Sequence, residues 1–167
     1  VRRREVEGRF LMEVTVVAHG FEEFAARLAQ WPAIFRKHMT PAVTRSVIGG
    51  EGIAKKLAPR DTSNLARSIT HEVRSTAGSV RGKWGTALSP HYGPDVEFGT
   101  RPHWPPVSAL AGWARRHGTN PYAVAAGIAK HGTKAQPFMR PSFAQIRAKA
   151  RIELRNGLRA ALAEMKG

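Results

Sequence analysis

The chain has no cysteine, which excludes a disulfide framework, a thiol nucleophile and any thiolate metal site. That composition fits a protein made and used in a reducing cytoplasm. No apolar run approaches the roughly 18 residues needed to cross a bilayer, so no membrane role is expected. The opening stretch VRRREVEGRF is basic but lacks an apolar core and a small-residue cleavage pattern, so it does not read as a signal peptide. Acidic residues are scarce: 12 Asp plus Glu face 27 Lys plus Arg, a formal net charge of +15. From Phe98 to Ile152 there is no acidic residue, while Arg101, Arg115, Arg116, Lys130, Lys134, Arg140, Arg147, Lys149 and Arg151 are all basic. A surface built from them attracts polyanions or acidic partners over roughly 10 Å at moderate salt.

The chain does have enough apolar residues for a core, 42% of 167 residues, which argues for one ordinary domain rather than disorder. Within it, residues 1–11 read as an N-terminal extension and residues 101–131 as a helical insertion. Phe10 to Ala18 mixes β-branched and apolar residues and stops near Gly20, which predicts a strand. Phe21, Phe24, Leu28, Trp31 and Phe35 then recur every three or four residues, the spacing of a helix that ends near Pro59. Pro32 and Pro41 are expected to kink or divide it. Gly49, Gly50 and Gly52 are costly inside a helix, at about 1 kcal/mol each, and point to close packing there.

The run from Asn64 to Ser75 sets Leu65, Ile69 and Val73 among polar residues and predicts a half-buried strand, with Arg67 and His71 outward. A second strand pairs with it after a turn at Ala77–Ser79, and DVEFGT predicts a short third one. Helices are expected over Pro105–His117, from Pro121, the first helical residue after Asn120, to Gly132, and from Pro141 to the C-terminal end. The last has a predicted buried stripe of Phe143, Ile146, Ala150, Leu154, Leu158, Ala161 and Met165. The expected class is α+β, a long N-terminal helix and a C-terminal helix packed on a small, mainly antiparallel sheet.

No catalytic set emerges. The histidines at 19, 38, 71, 91, 103, 117 and 131 are too scattered for a zinc site. Asp95 and Glu97, if on a strand, share a face near His91, a minimal basis for acid–base work. Ser68 and His71 lack a third orienting group. Two Gly-Thr turns, Gly99-Thr100 and Gly132-Thr133, lack the glycine and lysine spacing of a phosphate loop. Their local meaning is structural: Gly tolerates positive φ, Thr can cap, and the pair shapes the joint between sheet and helices. Phe98 reads as a buried edge-strand residue, and Phe138 as a core anchor at a helix entry directed by Pro137 and Pro141. Neither an enzyme nor a cofactor is expected.

APRDTSNLARSI, then HYGPDVEFGT, then IAKHGTKAQPFMRPSF followed by a helix resembles the tail-completion or head–tail joining family of long-tailed bacteriophages. The matching elements are Thr62 to Ile69, Tyr92 to Thr100 and Gly132 to Pro141, in the family's order, and together with the chain between them they span about half the sequence. The structural motif carried over is Glu97, Phe98, Gly99, Thr100, Gly132, Thr133, Pro137, Phe138 and Pro141. Ser63 departs from it, standing where the family usually has Gly. The resemblance implies a structural protein of the virion neck, made in the host cytoplasm. It would be a ring subunit joining head to tail, either as tail terminator or as head-closure layer. The ring would be six-fold or, failing that, twelve-fold, and would contact neighbouring connector and tail-tube proteins. Trp104, Pro105, Pro106 and Val107, apolar in a loop context, are the expected subunit contact. Arg147, Arg151, Arg155 and Arg159 recur every four residues on the last helix and form a basic stripe facing DNA or an acidic neighbour. The alternative to the ring subunit is a basic DNA-binding protein.

Overall fold

A long helix needs a covered face more than it needs strong local propensity, and two long helices here cover one another. The computed structural model describes residues 2–6, 9–13, 21–87 and 92–166. In chain order the elements are β1 (Arg2–Val6), β2 (Arg9–Glu13), α1 (Phe21–Leu57), α2 (Asn64–Ser68), β3 (Ile69–Ser75) and β4 (Val80–Thr86). They continue with α3 (Tyr92–Phe98), α4 (Val107–Arg116), α5 (Pro121–His131) and α6 (Met139–Lys166). The class is α+β, with α1 packed on both α6 and the small antiparallel pair β3–β4, and α6 reaching that pair through Trp84. At the N-terminus β1 pairs with β2, Arg2 opposite Glu13, so the segment read as an extension carries a hairpin. The predicted strand from Phe10 coincides with β2 as far as Glu13, and its remainder, 14–18, lies outside the described residues.

α1 runs through Pro32 and Pro41 without division. Each proline frees one carbonyl a turn earlier, on Leu28 and Lys37, and both residues are exposed so that water can take the lost bond. From Ala42 onward the helix is held by burial of Ala42, Val43, Val47 and Ala54. α6 lies antiparallel to it: Gly49 meets Ile146, Arg45 bonds Glu153 at 2.8 Å, and Lys37 bonds Glu164 at 2.8 Å. The predicted seam of α6 is only partly right. Ser142, Ile146, Gly157 and Ala161 are buried, whereas Phe143 and Leu158 are 59% and 41% exposed. The helices approach through small residues. A Cβ on Gly157 would sit 2.9 Å from the Ala42 Cβ and 3.1 Å from the His38 carbonyl oxygen. Close approach at Gly157 turns the larger Leu158 outward.

The predicted strand from Asn64 begins five residues late, because Asn64–Ser68 forms the short helix α2. In β3–β4, Ile69, His71 and Val73 lie opposite Thr86, Trp84 and Gly82. This face meets α1: Gly82 approaches Val43 and Val47, Trp84 approaches Gly50, and His71 bonds Glu51. His71 therefore points toward the helix, not outward as expected. The alternation that matters is between this face and Thr70, Glu72, Arg74, Arg81 and Lys83, where Glu72 pairs with Arg74 and Lys83. The expected turn closes through Thr76 N–H to the Ser79 carbonyl at 2.8 Å. Ala54, Ala58, Leu65, Ile69 and Phe138 form the core cluster, with Trp84, Val96 and Met139 against it. Trp84 also donates to the Ser142 hydroxyl at 3.3 Å.

The predicted third strand is the helix α3. Pro94 suits a first helical turn, and the inward residues Gly93 and Glu97 are four apart, a helical spacing. α4 and α5 form where expected and pack on each other. Asn120 caps α5, its side chain accepting from Tyr122 N–H at 2.8 Å, and Gly132 ends it with φ 71°. Arg116 of α4 bonds Asp61 in the α1–α2 connection.

Ser63, just before α2, has φ 60°, the one positive φ outside glycine among the described residues. Its left-handed backbone costs roughly 1–2 kcal/mol in a residue with a Cβ. Ser63→Gly is therefore expected to raise unfolding stability by about 0.5–1 kcal/mol in denaturant titration, after glycine's extra chain entropy is subtracted. Phe138 is fully buried, and Phe138→Ala should lose about 3–5 kcal/mol by the same measurement.

Candidate functional site

The two Gly-Thr turns, which end α3 and α5, meet each other. Thr100 and Thr133 form an isolated antiparallel bridge. Thr100 N–H donates to the Thr133 carbonyl at 3.2 Å, and Thr133 N–H returns the bond at 3.3 Å. Each N–H also reaches the other residue's hydroxyl, at 2.9 and 3.1 Å, and the two hydroxyls lie 3.1 Å apart. Gly99 and Gly132 have φ of 72° and 71°. A Cβ on Gly99 would collide with the Thr133 carbonyl oxygen, and one on Gly132 with that of Thr100. Glycine is required at both positions for conformation and for close approach. The threonines bond across the clasp instead of capping a helix of their own.

Beside the clasp, Glu97 is 3% exposed. Its carboxylate accepts the N–H groups of Phe138, Met139 and Arg140 at 2.7, 2.8 and 3.0 Å, and Arg140 Nε at 3.1 Å. These are the unsatisfied donors at the start of α6, so a side chain 41 residues before Phe138 caps that helix. Burial pushes the Glu97 carboxyl up, but the backbone N–H bonds and the Arg140 bond outweigh it and hold the pKa below the ordinary glutamate range. Phe98 is 63% exposed and lies under the Arg140 guanidinium, 5.0 Å from ring centroid to Cζ. The expected pattern is thus inverted: the acid is inside and the aromatic outside. The sequence singled out Glu97 as part of a motif and, with Asp95, as a minimal acid–base pair, not as a helix cap. A Glu before Gly-Thr and the Pro-Phe helix entry were its visible traces, and only folding brings them together. Pro137 is exposed and Pro141, in the first turn of α6, is half-buried.

The predicted contact at 104–107 is scattered in character. Trp104 is 59% exposed and Pro106 exposed, whereas Pro105 is buried and Val107 is half-buried in the first turn of α4. Trp104 and Pro106 alone remain available to a partner. All four arginines of the basic stripe are exposed. The two acids of α6 are turned to α1, Glu153 to Arg45 and Glu164 to Lys37 and His38, leaving the outer face of the helix cationic.

Catalytic geometry is weak where it was conceivable. Asp95 and Glu97 lie on a helix, 200° apart, and do not share a face; His91 lies outside the described residues. His71 does gain an orienting partner in Glu51, but the Ser68 hydroxyl donates to the Leu65 carbonyl at 2.7 Å instead of to His71. The Glu51 carboxyl is lowered first by its bond to Lys55, against burial, and then by His71. A groove of about 800 Å³ between α1, β4 and α6 is lined by Met39, Val43, Val47, Trp84 and Leu154. Its acid, Glu72, is held below the ordinary range by Lys83 and Arg74. Among the described residues no three His, Asp or Glu side chains are grouped to hold a metal, and no helix is long and apolar enough to cross a membrane.

Compared with family models, curated proteins and solved structures, the chain matches none of them.

Because the Glu97 pKa is lowered by folding, its stabilisation is present above the ordinary glutamate pKa of about 4.3 and is lost as pH falls through the lower folded value. Glu97→Gln should cost about 1.5–3 kcal/mol at neutral pH, since the amide keeps a single accepting oxygen for two of the four donors and carries no charge. The loss of stability on acidification, followed by circular dichroism in denaturant, should be shallower than in the parent.

Proposed function

We propose that the chain is a structural subunit of the neck of a long-tailed phage, acting by assembly into a ring that joins head to tail and not by catalysis. The observation that carries this reading is the joint itself. The second and third sequence elements that resemble the joining family, Tyr92 to Thr100 and Gly132 to Pro141, lock together through the threonine clasp and the Glu97 cap. The first element supports it through Ser63, whose left-handed backbone suits the glycine usual at that position. These residues are spent on backbone geometry, as expected of a motif that defines a shape instead of a reaction.

The exposed arginines of α6 favour a second reading, a basic DNA-binding protein. The two readings separate on the free chain at physiological salt. A dedicated binder should hold duplex DNA with micromolar or better affinity, whereas a ring subunit shows only weak non-specific attraction.

The ring reading predicts that mass measurement within purified virions gives a copy number that is a multiple of six. A single copy, or none, contradicts it. Deleting the gene should leave DNA-filled heads beside separate finished tails, visible by electron microscopy. Empty heads or missing tails would assign the chain to packaging or tube growth.

A further inference from the structure

The groove between α1, β4 and α6 is bordered by an unpaired strand edge. In an antiparallel ladder, bonded and non-bonded pairs alternate. The bonds from Thr76 N–H to the Ser79 carbonyl and from Ala87 N–H to the Ser68 carbonyl, both 2.8 Å, fix which pairs are bonded here. By the register between them, Arg81, Lys83 and Gly85 turn their backbone N–H and C=O groups to β3, while Val80, Gly82 and Trp84 turn theirs away from it. Among the described residues β4 has no strand on that side. Gly82 lies against Val43 and Val47 and is nevertheless exposed, so solvent reaches its peptide groups. α6 covers the edge at Trp84, which bonds Ser142 and stacks on Phe143 with ring centroids 6.1 Å apart. Toward Val80 the edge is open, Arg81, Gly82 and Lys83 all being exposed, a length of roughly 10 Å.

The floor beside this edge is apolar, with Met39, Val43, Val47 and Leu154, and the walls are cationic. On α6, Arg147 and Arg151 lie about 20° and 60° around the axis from Leu154, on the side away from Glu153, and both are exposed. Arg74, Arg81 and Lys83 stand on the sheet side, and the one acid of the lining, Glu72, is already shared by Arg74 and Lys83. Open peptide groups suit an extended polypeptide, an apolar floor suits every second side chain of it, and cationic walls suit acidic residues between them. The phosphodiester backbone of DNA offers acceptors but no donors to the β4 carbonyls, and has nothing apolar to bury on Met39 and Leu154. Strands β1 and β2 of a second copy hold four arginines against two glutamates and would meet these walls with like charge.

We propose that this groove takes an extended segment of a different protein, which pairs with the open edge of β4 as an added strand. The segment alternates apolar and acidic residues, the apolar ones on Met39 and Leu154 and the acidic ones toward Arg81, Arg147 and Arg151. Main-chain bonds to Val80 and Gly82 hold it, and the charges select it. The inference requires neither the ring nor DNA binding, so its failure leaves both readings of function standing, and their failure leaves it standing.

The test titrates the full chain, by calorimetry, with a capped peptide of about seven residues in which valine and glutamate alternate, a typical strand length. It should bind with a Kd on the order of 10–100 µM, weak because a short free segment must be ordered, and more weakly in high salt. A peptide with lysine in place of glutamate should not bind. Backbone N-methylation of every second residue removes donors without changing a side chain, and should abolish binding for one alternate set and spare the other. Arg147→Glu with Arg151→Glu, both exposed and so nearly neutral for folding, should weaken binding about tenfold at an unchanged thermal midpoint. No binding of the glutamate peptide, equal binding of the lysine peptide, or indifference to both methylated forms overturns the proposal. If the peptide does not bind while the double arginine variant loses affinity for duplex DNA, the walls serve nucleic acid and the proposal falls. Val80→Pro removes an edge donor that faces away from β3. A parent chain that is dimeric by native mass and becomes monomeric, still folded, on Val80→Pro has its groove filled by a second copy, which overturns the proposal as well.

Discussion

The Glu97 carboxylate ties α3 to the start of α6, a segment 41 residues further along the chain. A charge taken out of water costs several kcal/mol unless it is well paired. Here the compensation is complete: three backbone N–H groups at the start of α6 and the Arg140 side chain. The same bonds satisfy donors that would otherwise be orphaned as Phe138 enters the core. Acid, helix start and core aromatic are thus mutually dependent. The threonine clasp adjoins them and sets the path of the chain on both sides, after α3 and before α6.

From that joint α6 runs antiparallel to α1 along a seam of small residues. Gly157 against Ala42 and Gly49 against Ile146 bring the backbones close. Close packing gains dispersion contacts on the inner side. It also turns the larger residues Ile152, Leu158 and Leu162 outward, between arginines. An apolar and cationic outer surface is the consequence of a tight inner one.

The legible parts of the sequence were those dominated by local physics. Both long helices, the Pro121 helix start, the Gly132 stop and the turn before β4 follow from spacing and backbone preference, and each lies close to where it was expected. Tyr92–Phe98 was not legible, because a seven-residue segment with Val96 and Phe98 alternating fits either period. The choice rested on Glu97 turning inward to a helix start far along the chain. Leu158 misled for a similar reason: a leucine in phase looks like seam, while a glycine next to it carries no apolar signal.

The sequence by itself determined the class, the charge, the absence of thiol chemistry and the positions of the glycines that make both Gly-Thr turns possible. These depend on composition and on conformational preferences within a few residues. Tertiary structure decided which acid is buried, which aromatic is exposed, which side of α6 is free, and that Thr100 and Thr133 bond to each other. Those outcomes turn on pairing and desolvation between segments more than 30 residues apart, and no local preference of the chain encodes them.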